Sequence, residues 1–263
     1  MKLAASTIKL ASSQSQPVNL EYDLSVASRD GRPADGSFDA WPNNQNASQG
    51  KALPAELLPR EIAYAGIRFN LAPTGDGRPN ALVPRGQTIT LPNGKFNRIY
   101  LLAAAANGDQ KADFNVGEKR FSLTIQDWGG FIGQWDDRRW APKELQIPPR
   151  TPPPGTPPDI AAQMQRTRTR IDPYAEMIGI APGFIKRTPV AWFASHRHSS
   201  DGANEPYAYS YLFAYAIDVP PGARTLVLPN NERIRILAVT VANEFGDVRP
   251  AQPLYDRLER DDR

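Results

Sequence analysis

The chain has two histidines, His196 and His198, one residue apart in Ser195-His196-Arg197-His198. On a strand, alternate side chains leave the same face, so the imidazoles would point together, as a metal-chelating His-x-His pair does. Asp201 is close enough in sequence to assist, whereas Arg197 between the two disfavours a cation. Two readings stay open: a contact to a metal or a sugar hydroxyl, or polar residues ending a strand. A second set of oxygen ligands comes from Asp30, Asp35 and Asp39, in a glycine-containing loop over 28–50. Carboxylates on a tight loop suit a hard cation, and we expect a structural Ca2+ there. The spacing lacks the closing glutamate of an EF-hand loop, and ordinary Asx-turns are the alternative.

A third stretch, Ser122–Trp140, holds Asp127, Trp128, Trp135, Asp136, Asp137, Arg138 and Trp140 around Gly129-Gly130 and Gly133. Indole faces stack on the C–H surface of a pyranose, and interleaved carboxylates and guanidinium groups exchange hydrogen bonds with its hydroxyls. The pattern reads as a sugar site, or equally as tryptophans packed in a sandwich corner. Asp127 with Asp136 or Asp137 also has the composition of a glycosidase acid/base pair, although sequence alone fixes no separation between them. Phosphate loops, nucleophile elbows and dinucleotide fingerprints are absent, and with no cysteine there is no thiol chemistry.

These groups need a scaffold, and its clearest element is Tyr207–Ile217. Tyr207, Tyr209, Tyr211, Phe213, Tyr215 and Ile217 alternate with Ala208, Ser210, Leu212, Ala214 and Ala216. A helix would scatter the rings, whereas a strand puts them all on one face. That face either fills a core between two sheets or lies open as a ligand platform, with Tyr207 and Tyr209 at its start. Other strands are expected over 18–26, 62–71, 87–91, 98–104, 120–127, 189–195, 224–228 and 233–242. Ala103–Ala106 has helical propensity, but it continues Ile99-Tyr100-Leu101-Leu102 and stops at the turn pair Asn107-Gly108, so it reads as strand. Leu91-Pro92-Asn93 before Arg98-Ile99 and Leu228-Pro229-Asn230 before Arg235-Ile236 form an echo at equal spacing. It implies two similar proline corners or a duplicated half-domain.

Eight prolines between Pro142 and Pro158 leave too few ladder donors, so this part should be extended and largely outside the sheets. Asp159–Arg170 should form a short helix with Asp159 as its N-cap. The expected organisation is a flexible lead-in over 1–16, a β-sandwich over 17–245 carrying a Pro-rich insertion at 141–180, and a charged tail over 246–263. Met1–Ser15 lacks the apolar core of an intact signal peptide. Thirty-one basic residues against 28 acidic leave a net charge of +3, which gives no footprint for nucleic acid, and no apolar run reaches the length of a membrane span. The lack of cysteine is shared with many exported bacterial proteins, and a periplasmic or secreted setting is the expectation.

Three blocks resemble the C-terminal β-sandwich region of bacterial α-mannosidases of glycoside hydrolase family 38. They are Gly86–Ala103, Ile125–Asp136, and Val190–His198 running on to Tyr207–Tyr215. The opening Asp-Gly loop and Pro54-Ala55-Glu56-Leu57-Leu58-Pro59 look like the start of galactose-binding-like modules. The resemblance implies an all-β, antiparallel, jelly-roll-like sandwich that accompanies a catalytic domain. Nothing in the chain matches that family's zinc-bearing catalytic domain, so no catalytic residue carries over. The combined expectation is a non-catalytic carbohydrate-binding module for a mannoside or other glycan. Its ligand residues would be Trp128, Trp135, Asp127, Asp136, Arg138, His196, His198, Tyr207 and Tyr209. The alternatives are a glycoside hydrolase using Asp127 and Asp136, and a purely structural domain packing on a catalytic neighbour.

Overall fold

The alternation of rings and small side chains over 207–217 does build a strand, and the strand divides its rings between two environments. In the computed structural model Tyr211, Phe213, Tyr215 and Ile217 are buried, while Tyr209 and Tyr207 at the start of the run are exposed. The structure describes residues 14–29, 38, 50–74, 78–186 and 188–244, without the side chains of 14, 134–137 and 181–185. Among the described residues the order is β1 (Gln14–Val18), β2 (Ala27–Ser28), β3 (Leu53–Pro54), β4 (Glu61–Tyr64), β5 (Ile67–Asn70), β6 (Thr88–Thr90), β7 (Arg98–Ala105) and β8 (Gln110–Val116). There follow β9 (Lys119–Ile125), β10 (Gly133–Ile147), α1 (Pro158–Met164), β11 (Arg168–Ile185), β12 (Val190–His198), β13 (Asn204–Asp218), β14 (Thr225–Val227) and β15 (Ile234–Asn243). No described helix is long and apolar enough to cross a membrane.

The fold is all-β and antiparallel in its two main sheets, as the sequence implies. A five-stranded sheet runs β1-β15-β7-β13-β12 and a four-stranded sheet runs β6-β14-β8-β9. Between them lie Leu101, Ala103, Phe213, Tyr215 and Ile236 from the first sheet and Phe114, Val116, Ile125 and Leu226 from the second. β7 is buried on both faces from Ile99 to Ala105, because the β4–β5 hairpin adds Ile62, Ile67 and Phe69 to the same core. The Thr240 hydroxyl of β15 donates to the Arg68 carbonyl of that hairpin at 2.8 Å. Such two-sided burial explains why β7 and β15 read as continuous apolar runs instead of alternating.

The proline echo has a structural counterpart. β6 pairs antiparallel with β14 in one sheet, and the strands that follow them, β7 and β15, pair antiparallel in the other. Each copy therefore passes from sheet to sheet through a Leu-Pro-Asn corner, the two-corner reading of the repeat. At Asn107-Gly108 both residues take positive φ (59° and 91°), in the turn that carries the chain from β7 in one sheet to β8 in the other.

Three local expectations need correction. Pairing begins at Gln14, where β1 joins β15, and most of 19–26 is outside any strand. The helix is capped by Pro157 with no side-chain hydrogen bond, and Asp159 lies in its first turn. The proline-rich part is outside the sheets over 148–158, as expected, but 142–147 belong to β10, which pairs with β11 over most of their length as a two-stranded hairpin. Pro142 is accommodated at a bulge, where Ala141 faces Glu176 and Lys143 faces Asp172. Its missing N–H thus falls where the ladder is already interrupted. By internal contacts the described residues form two units, one reaching Phe131 and resuming at Lys186, the other spanning Ile132–Ile185.

Candidate functional site

The histidines lie at the end of β12, where alternation puts both on the side opposite Arg197. His198 is completely buried and His196 partly so. The Nε2 atoms of His196 and His198 lie 2.9 and 3.1 Å from the same carboxylate oxygen, Oε1 of Glu56. The imidazole centroids are 5.6 Å apart with planes 30° from parallel. Glu56 comes from the turn that follows β3, and three backbone connections fix that turn. Ala52 and His198 exchange N–H···O bonds of 3.0 Å in both directions, the Ala55 N–H donates to the Ser28 carbonyl at 2.9 Å, and β3 pairs parallel with β2. The Trp192 indole N–H adds a bond to the Leu57 carbonyl at 3.3 Å. On its other ring nitrogen, His198 Nδ1 meets the Ser28 hydroxyl at 3.0 Å.

Sequence reasoning found the two histidines and missed Glu56 and Ser28. Glu56 lies 140 residues from His196, and no local pattern announces the pairing. Asp201 does not join the group; its Oδ1 accepts from the Ser199 hydroxyl at 2.5 Å and from the Ala203 N–H at 3.1 Å, closing a turn. Arg197 does not oppose a cation here, because it faces the other way. Its Nε donates to Glu205 Oε2 at 2.7 Å, and its guanidinium lies 5.4 Å from the centroid of the Trp128 ring. Lys51 binds the same Glu205 oxygen at 3.1 Å. Burial alone would raise the Glu205 carboxyl, but the bonds and charges of Arg197 and Lys51 hold it below its ordinary value.

Trp128 does not offer its face to a sugar. Trp128 is 1% exposed and lies flat on Phe38, with centroids 4.5 Å apart. Its face is therefore used inside the core. Asp127 accepts from the Gly108 N–H at 2.6 Å and from the Gly129 N–H at 2.8 Å, a turn-bracing role. Lys186 donates to the Asp127 carbonyl at 2.9 Å, and burial lowers its ammonium pKa. Trp140 belongs to the hairpin unit, where it meets Tyr174 edge-on at 5.9 Å. Arg138 stands on β10 opposite Ile180. The side chains of Trp135 and Asp136, and all of Asp30, Asp35 and Asp39, lie outside the described residues.

What the structure does bring together is an aromatic terrace on β12 and β13. Tyr209 stacks on Tyr211 with planes 9° from parallel and centroids 6.4 Å apart, and Tyr211 continues to Phe213 at 6.1 Å. Phe193 stands directly across from Tyr211. Phe193, Tyr207 and Tyr209 are 61%, 87% and 41% exposed. Tyr207 has φ 61°, beside the register shift that separates the Ala194–Ser210 pair from His196–Pro206.

This sandwich, read across its length, matches the family model described as the AziU2-like beta-sandwich domain over residues 14–245. The chain belongs to that family. The match takes in the AziU2-like sandwich strands, the β10–β11 hairpin, and Glu56, His196 and His198 alike. No curated protein matches the chain. The AziU2-like description supports the sandwich part of the resemblance seen in the sequence and not its assignment to the mannosidase region.

Proposed function

We propose that the chain is a non-catalytic accessory module that binds carbohydrate through the terrace of Phe193, Tyr207 and Tyr209. The observation that carries this reading is the parallel stack of Tyr209 on Tyr211. An exposed ring held by a buried one is a preformed plane, and a sugar's C–H face can cover it without first ordering a side chain. The parent setting suggested by the sequence resemblance is an α-mannosidase-type glycoside hydrolase, so mannosides are the first glycans to try. A hydrolase acting through Asp127 is the weaker reading, since that carboxylate already braces two backbone amides. The test is retardation on immobilised α-mannan: the wild type should be retarded, Tyr209→Ala should not, and equal mobility of the two would refute the terrace.

A second observation favours docking on a catalytic neighbour. β10 and β11 form a two-stranded ribbon whose Trp140, Leu145, Ile171, Tyr174, Met177, Ile178 and Ile180 are exposed. Ribbons of two strands are marginal in water, and exposed apolar patches of this kind mark interfaces. The occupant in this reading is an apolar face of the catalytic protein. Without that partner, the chain should self-associate in sedimentation velocity. Serine at Met177, Ile178 and Ile180 together should restore the monomer; a wild-type monomer at all concentrations would refute the reading.

A further inference from the structure

We propose that Glu56, His196 and His198 form a binding site for a divalent transition metal, with zinc as the reference ion. The observation is convergence: two imidazole nitrogens aim at one carboxylate oxygen from 2.9 and 3.1 Å, and all three ligand atoms lie within 4.8 Å of one another. Zinc ligands at about 2.0–2.1 Å in a tetrahedron stand roughly 3.3 Å apart; the two nitrogen–oxygen separations are within a few tenths of an ångström of that, and the ligand atoms all lie within 4.8 Å of one another. The ligand chemistry, two imidazoles and a carboxylate, suits zinc and its first-row neighbours, whereas calcium and magnesium take oxygen ligands.

Three further features fit a metal site better than a simple hydrogen-bonded cluster. The Ser28 hydroxyl at His198 Nδ1 can accept from an Nδ1–H, the tautomer that frees Nε2 for a metal. The ligands are held by the Ala52–His198 bridge and the β2–β3 pairing, so the site is preorganised on the sandwich. Burial is graded, from His198 fully enclosed through His196 at 19% to Glu56 at 37% side-chain exposure. The ion thus has an entry path and an open side, where water or an oxygen ligand would complete its coordination. The cation between the two histidines in sequence, Arg197, is turned to the opposite face and paired with Glu205.

The experiment uses the full chain, stripped with chelator and titrated with Zn2+ by calorimetry and with Co2+ by visible absorption. One equivalent should bind, and Co2+ should develop the d–d bands of a nitrogen–oxygen site. Glu56→Gln and His196→Ala are partly exposed changes that should leave the far-ultraviolet circular dichroism unaltered and weaken Zn2+ binding by more than 100-fold. Ser28→Ala should weaken it by about 10–100-fold, the range for a residue orienting a metal-bound imidazole. Absence of stoichiometric binding by the wild type would overturn the proposal. So would equal affinity in folded Glu56→Gln and His196→Ala, which would place any bound ion elsewhere.

Discussion

The indole of Trp128 lies on the ring of Phe38 at 4.5 Å between centroids and 11° between planes, and neither ring reaches solvent. Arg197 approaches Trp128 as well, so this indole joins an apolar contact to the Arg197–Glu205–Lys51 cluster. Trp128→Ala should therefore act on stability. A loss of about 3–5 kcal/mol is expected from burial and cavity together, read as a lower midpoint in urea. A Trp128→Ala variant as stable as wild type would show that the stack contributes little.

The Arg197–Glu205–Lys51 cluster makes stability depend on acid. Glu205 has a folded-state pKa below its ordinary 4.5, so its stabilisation is complete above that value and is lost as pH falls through the folded one. Comparing thermal midpoints of wild type and Glu205→Gln across pH checks this. The gap between them should be constant near neutrality and close in acid. A gap that widens in acid would contradict the sign.

Two-sided burial of β7 against the bare ribbon of β10–β11 predicts unequal opening. Amides of Ile99–Ala105 should exchange at least about 100-fold more slowly than those of Arg138–Ile147 and Arg168–Ile180. Hydrogen exchange read by mass spectrometry would show this, and equal protection would mean that something covers the hairpin.

Asp127→Asn should cost about 1–3 kcal/mol, because the carboxylate accepts from two backbone amides at 2.6 and 2.8 Å and a carboxamide offers one acceptor oxygen instead of two. Chemical denaturation measures it directly. An unchanged midpoint would free Asp127 for a role other than bracing the turn.

Local patterns carried the parts of this fold that depend on period and turn chemistry. The alternation over Tyr207–Ile217 marked β13, and Asn107-Gly108 marked the turn that ends β7, because each signal is set by neighbours in sequence. Proline count placed 148–158 outside the sheets and missed the pairing of 142–147, since a strand tolerates Pro142 where a bulge already removes the ladder bond. Trp128 misled for a different reason: an indole reads the same in sequence whether it fills a core or forms a platform, and only Phe38 across the chain decides its place. The His-x-His spacing was visible, but Glu56 and Ser28 reach it through tertiary pairing of β2, β3 and β12.

Glycan binding at Tyr209 is the claim on which the accessory-module reading stands, and nuclear magnetic resonance titration with α-mannobiose and α-mannotriose reaches it most directly. The expected result is saturable shifts in Phe193, Tyr207 and Tyr209, no release of free mannose over the titration, and loss of the shifts in Tyr209→Ala. Shifts that never saturate, that survive Tyr209→Ala, or that come with sugar release from the wild type would contradict it.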